Sequence, residues 1–193
     1  MNSPQTIVAH NLYSLYDKVG HGVDGVRYFS DENFRMITEK TSAWPNSIYA
    51  LNSSKLNESL LDDLNDKINE YNFEPILLSE HNPCDLDILK KKGFILVDRW
   101  TGMSHNAMNY RRCAINDEAD LECCVINNEE LPIWINVVSN ELFGNKPLSP
   151  NIFAYLMSVG NVLIALKKGS KIIGSCMLYY DENDVVCLYI VCI

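Results

Sequence analysis

NVLIALKKGSKIIGSCMLYYDENDVVCLYIVCI, residues 161–193, is the stretch that decides how this chain is read. Its three apolar runs, 162–166, 172–180 and 185–193, are separated by Lys167-Lys168-Gly169-Ser170 and by Asp181-Glu182-Asn183-Asp184. Breaks of that composition supply the Gly, Asn and Asp that tight turns need, while the runs are rich in strand-favouring β-branched and aromatic residues. The stretch predicts three strands joined by two hairpins, an antiparallel meander.

The last run, VVCLYIVCI, is apolar throughout. A half-exposed strand alternates apolar and polar side chains, so an unbroken apolar run predicts a strand buried on both sides. Because a bare apolar edge invites aggregation, another part of the chain or a second molecule is expected to cover it, unless a piece that once followed has been lost.

Working outward, 193 residues with 47% hydrophobic content suffice for one core or two small ones. No apolar run reaches the roughly 18–20 residues of a membrane span, and MNSPQTIVAH lacks the basic and apolar regions of a secretory leader, so a cytoplasmic protein without a membrane partner is expected. The net charge of -9 argues against a nucleic-acid partner, since the dense basic clusters are only Lys90-Lys91-Lys92 and Arg111-Arg112. The seven cysteines, an odd number, show no C-x-x-C pair, and Cys176, Cys187 and Cys192 fall inside apolar runs, so buried reduced thiols are expected. His10, His21, His81 and His105 are scattered without ligand spacing, and no metal site is expected.

Taken in order, residues 6–18 place Ile7, Leu12, Leu15 and Tyr16 near one stripe and predict an amphipathic helix ended by Gly20 and Gly22, with VGHGVDGV a linker. Ser30-Asp31-Glu32-Asn33 reads as a helix start and 34–40 as a short helix. A strand at 47–51, a helix at 58–71 and a buried strand at 75–79 follow. A short helix from Asn82-Pro83 to Gly93 then leads into a long strand at 94–105. The remainder opens with a strand at 110–115 and an acidic turn. Next come a helix at 128–143 with Pro132 in its first turn and a helix at 151–157 before the meander. The fold class is α/β, with a mixed, mostly antiparallel sheet flanked by helices, and the segments divide as 1–107 and 108–193.

Strand, acidic turn, amphipathic helix, second helix and meander is an order that resembles the first half of a GNAT-type N-acetyltransferase, over residues 110–193. The carriers are the run at 161–166 with its Lys-Gly hairpin, the IIGSCMLYY strand with Gly174 at its bend, and the LYIVCI strand. The resemblance implies that the terminal strand splays from its neighbour and binds the pantetheine arm of acetyl-CoA through backbone groups of Ile190, Val191, Cys192 and Ile193. The family's Arg/Gln-x-x-Gly-x-Gly/Ala pyrophosphate loop would begin past Ile193. Residues 75–103, PILLSEHNPCDLDILKKKGFILVDRWTGM, resemble the closing part of the same family, making the front segment a degenerate copy and the second unit incomplete. A permuted single sheet, with VVCLYIVCI covered by the strand at Pro75, is the other arrangement. Residues 52–58, NSSKLNE, stand where a phosphate loop would sit and read either as a phosphate site or as helix capping.

Acetyl transfer to an amine needs a base, an oxyanion donor and an acid for the departing thiolate. Glu182, Asp184 and Glu141 are the carboxylates to consider, each equally readable as a solvated acid, and Glu182 is the chosen base. The position where the resemblance implies a tyrosine acid is Leu89, leaving Tyr179, Tyr180 and Tyr189 as substitutes or as packing; Tyr189 is the chosen acid. The resemblance implies that backbone N–H groups around Val191 and Cys192 serve as the oxyanion donors. Cys123-Cys124, on an acidic segment without a nearby His, is set aside as a nucleophile. The expected activity is acyl-CoA-dependent transfer of acetyl to a small-molecule or peptide amine. The alternative is an inactive remnant that binds partners, including a second copy as a homodimer, through its terminal strand.

Overall fold

A computed structural model describes residues 4–79, 83–98 and 120–193. In these residues the chain is α/β, with five α-helices and two four-stranded sheets that are mostly antiparallel. None of these helices is long and apolar enough to cross a membrane. The chain divides into two compact units, and helix α1 (Pro4–Gly22) runs through both, up to Leu15 in one and from Tyr16 in the other.

The unit formed by Tyr16–Lys40 and the described residues from 44 to 98 holds β1 (Arg27–Ser30), β2 (Arg35–Thr38), β3 (Asn46–Tyr49), α2 (Glu58–Tyr71), β4 (Ile76–Leu77) and α3 (Pro83–Lys91). Its sheet runs β1-β2-β3-β4, antiparallel except for the parallel β3–β4 pair. The α2 helix forms where the apolar spacing predicts it. Asn57 accepts the Leu60 N–H at 2.9 Å as N-cap, Leu60, Leu61 and Leu64 make the buried face, and Asn72 at φ 52° ends it. Leu60 and Leu64 of that face close a core with Phe34, Met36 and Ile48.

Several expectations fail here. Residues 34–40 are not a helix: Asp31 accepts the N–H groups of Asn33 and Phe34, as an N-cap would, but the turn it caps joins β1 to β2. VGHG is not linker but the last turn of α1, where the Tyr28 ring lies so close to Gly20 that a Cβ has no room. The strand at 75–79 shrinks to β4 and is not buried, Ile76 being 53% exposed. Residues 94–98 form no strand, with Ile95 and Val97 exposed; the rest of the expected strand at 94–105, the strand at 110–115 and the 107/108 boundary lie outside the described residues.

The other unit takes residues 4–15, Thr41–Ala43 and 120–193. It contains β5 (Leu121–Val125), α4 (Leu131–Phe143), α5 (Pro150–Ser158), β6 (Val162–Lys168), β7 (Lys171–Tyr180) and β8 (Val186–Cys192). Its sheet is antiparallel throughout in the order β5-β6-β7-β8, so the meander forms as its turns predict. Leu163, Ala165, Ser175, Met177 and Tyr179 share one buried face of the sheet. Trp134 of α4 packs edge-on against Phe153 of α5 and donates from Nε1 to the Ile164 carbonyl at 2.9 Å.

The opposite face carries Val125, Ile164, Cys176, Leu178, Tyr180, Val186 and Leu188, all half-buried or exposed. The expectation that 185–193 is buried on both sides is therefore overturned: Leu188 is 64% exposed and Val191 55%. The permuted sheet is overturned too, because β8 pairs with β7, and the strand near Pro75 pairs with β3. The thiols of Cys176, Cys187 and Cys192 are half-buried and that of Cys123 is exposed, contrary to burial.

Candidate functional site

Among the described residues strand β8 lies last in its sheet, and there one line of its backbone groups faces away from the ladder. Its pairing with β7 is broken between Ser175/Cys192 and Met177/Tyr189: Ile190 and Val191 stand opposite Cys176 alone. This is a β-bulge, and Ile190 takes φ 55°, a region disfavoured for a β-branched side chain. The Ser175 hydroxyl donates to the Ile190 carbonyl at 2.8 Å and lies 3.1 Å from the Cys192 sulfur. The bulge also resets the alternation, so Val191 and Ile193 are exposed where an unbroken strand would turn Val191 inward.

Before the bulge, Tyr189 points to the buried face. Its hydroxyl donates to Asn11 Oδ1 at 2.8 Å, and its ring meets Tyr179 at a centroid distance of 6.4 Å. Asn11, fully buried on α1, donates in turn to Asp181 Oδ2 at 2.9 Å and to the Val185 carbonyl at 3.2 Å. Asp181 Oδ1 accepts the N–H groups of Asn183 and Val185, which shapes the turn into β8. The Ser14 hydroxyl lies 2.9 Å from that of Tyr179. Burial pushes the Cys187 thiol above its ordinary range, opposed by a hydrogen bond with Tyr189 and reinforced by the Asp181 charge.

Of the residues singled out by sequence, Ile190, Val191 and Cys192 form the bulged end of β8, Ile193 follows it, and Tyr189 is engaged with Asn11. Glu182 is exposed in the turn. The acid held in place is its neighbour Asp181, whose position as first polar residue after an apolar run is the turn signature that could have pointed to it. Nothing in the sequence pairs Asn11 with Tyr189. Asp184, at φ 58°, and Glu141 are exposed, and Leu89 is buried. In 52–58 the Asn57 side chain caps α2.

A second polar group lies around Asp17. Tyr28 of β1 and Tyr49 of β3 each donate to its Oδ1 at 2.8 Å, and Arg35 of β2 pairs with Oδ2. The His21 ring lies 4.5 Å from that of Tyr28. Burial, helped by the Asp17 carboxylate, raises the phenols of Tyr28 and Tyr49 above their usual range, and burial does the same at Tyr16 against hydrogen bonds with Ser47 and Trp44. A cleft lined by Phe29, Phe34, Asp63, Asp66, Lys67 and Glu70 holds the Lys67 ammonium 5.1 Å above the Phe29 ring.

No protein-family model, no curated protein and no solved structure matches the chain. The class that the fold itself defines is an α/β protein with two mostly antiparallel sheets.

Proposed function

We propose that the unit ending in β8 is an acyl-CoA-binding unit of the GNAT type, serving transfer of an acetyl group to a primary amine. The observation that carries this reading is the bulge at Ile190 and Val191 on the strand that ends its sheet among the described residues. A neutral arm with two amides is recognised by outward N–H and C=O groups along an extended strand, and a bulge re-aims such groups where regular pairing would hide them. The residues fit that arm and not the phosphates, because 180–193 contains no Lys or Arg. Bound acetyl-CoA would supply a thioester open to attack by an unprotonated amine. Of the chain's own groups, the exposed Glu182 carboxylate is the candidate to take the ammonium proton. Tyr189 can give a proton only by releasing Asn11.

Calorimetric titration with acetyl-CoA and with CoA tests this. One site per chain is expected, weakened by Val191→Pro, which deletes a backbone N–H; absence of heat up to millimolar ligand would sink the reading.

A second reading, association through the terminal strand, draws on the exposed apolar row of Val186, Leu188, Val191 and Ile193. It predicts a homodimer in sedimentation that Leu188→Lys disperses. A monomer at all concentrations would count against it.

A further inference from the structure

Ile190 stands in a conformation that a glycine-type bulge ordinarily gives to glycine and that is strained for a β-branched residue. Such a conformation persists only where its surroundings over-determine it. Two neighbours on β7 do so. Ser175, only 5% exposed, spends its hydroxyl on the Ile190 carbonyl. Gly174 leaves the space taken by the Cys192 carbonyl: a Cβ there would lie 2.7 Å from that oxygen and 3.3 Å from the Leu166 Cβ. Ser175 thus grips the first residue of the bulge and Gly174 accommodates the carbonyl two residues later.

We propose that Ser175 is the positioning residue of the bulge, with Gly174 as its steric counterpart, and that together they set 190–193 to receive an extended amide-bearing chain. The ligand half rests on the acyl-CoA reading; the lock itself does not. Without the serine hydroxyl, Ile190 returns to an extended φ and the strand re-registers. Val191 then turns toward the face that Tyr189 occupies, and the outward line of backbone groups changes.

The test uses the full chain. Backbone couplings of residue 190 measured by NMR distinguish positive from extended φ, and acetyl-CoA titration reads affinity. Ser175→Ala is expected to move residue 190 to extended couplings and to weaken binding at least tenfold, while Ser175→Thr, keeping the hydroxyl, restores both. In an Ile190→Gly background the Ser175→Ala change should cost less than twofold, because glycine takes positive φ without a lock. A protein that needed Ser175 only for packing would lose as much in either background, and that result overturns the proposal. If Ser175→Ala proves too unstable to study, Gly174→Ala disturbs the same bulge from its other side and should shift the residue 190 couplings likewise. Native couplings in both variants overturn the lock. Should the native chain fail to bind acetyl-CoA, the acyl-CoA reading falls, and the lock stands or falls on the couplings alone.

Discussion

Asp17 and Tyr49 meet at 2.8 Å, the hydroxyl of a fully buried tyrosine donating to a carboxylate oxygen that also receives Tyr28. With Arg35 on the other oxygen, a single side chain of α1 takes one donor from each of β1, β2 and β3. Asp17→Ala should therefore destabilise by roughly 2–4 kcal/mol, since a buried phenol and a half-buried one lose an acceptor at once. Arg35→Met should cost no more than about 1 kcal/mol, because the ion pair is partly in solvent, with side-chain exposures of 38% and 25%. Urea midpoints of the two variants check the order; equal losses would contradict it.

The same phenols predict sensitivity to base. Tyr16, Tyr28 and Tyr49 have folded-state pKa values above the unfolded value near 10, so folding favours their neutral forms. Their contribution to stability is complete below pH 10 and is lost as the pH rises from there toward the folded values. Phenolate absorbance should lag for part of the ten tyrosines and then rise together with loss of circular dichroism. Titration of all of them near pH 10 in a folded chain would refute this.

Trp134 is fully buried, caps the Ile164 carbonyl and braces Phe153. Trp134→Ala should cost about 3–5 kcal/mol through the cavity it leaves. Trp134→Phe, which keeps most of the volume, should cost less than half as much. Thermal melts of the two variants decide.

Asn11 joins α1 to the last hairpin through three hydrogen bonds. Asn11→Ala removes all of them from a buried site, and a loss of about 2–3 kcal/mol is expected. Amide exchange should quicken first at 181–189. Unchanged protection there would show that the hairpin holds itself.

What the sequence reveals about this fold depends on whether a signal is local. The α2 helix is legible because Asn57, the leucine spacing and Asn72 lie within sixteen residues of one another. The meander is legible because its turns announce themselves. Asp31 misleads, since an Asx turn and a helix N-cap use the same carboxylate on the same N–H groups. Strand β5 is invisible because its exposed Leu121, Glu122 and Val125 give no alternation, and its pairing with β6 must come from forty residues downstream. VVCLYIVCI reads as doubly buried because nothing in that run marks Ile190 as the point where the faces exchange; the reason lies in Ser175 and Gly174 on the neighbouring strand. Of the candidate site, 190–193 enters through the family resemblance and not through any pattern in the residues, while the partner of Tyr189 enters through neither.

That partnership sets a timetable for folding. Asn11 and Tyr189 are separated by 178 positions, and Ser14 and Tyr179 by 165. During synthesis, the early part of α1 must wait for the last hairpin to emerge from the ribosome before its polar side chains find their partners. Contacts of such range close slowly, because the entropy of a long intervening loop is spent before any bond rewards it. The segment around Tyr16 to Tyr49 needs only local closure. Refolding from denaturant should accordingly begin with protection of β1–β3 and finish with the hairpin that carries Asp181.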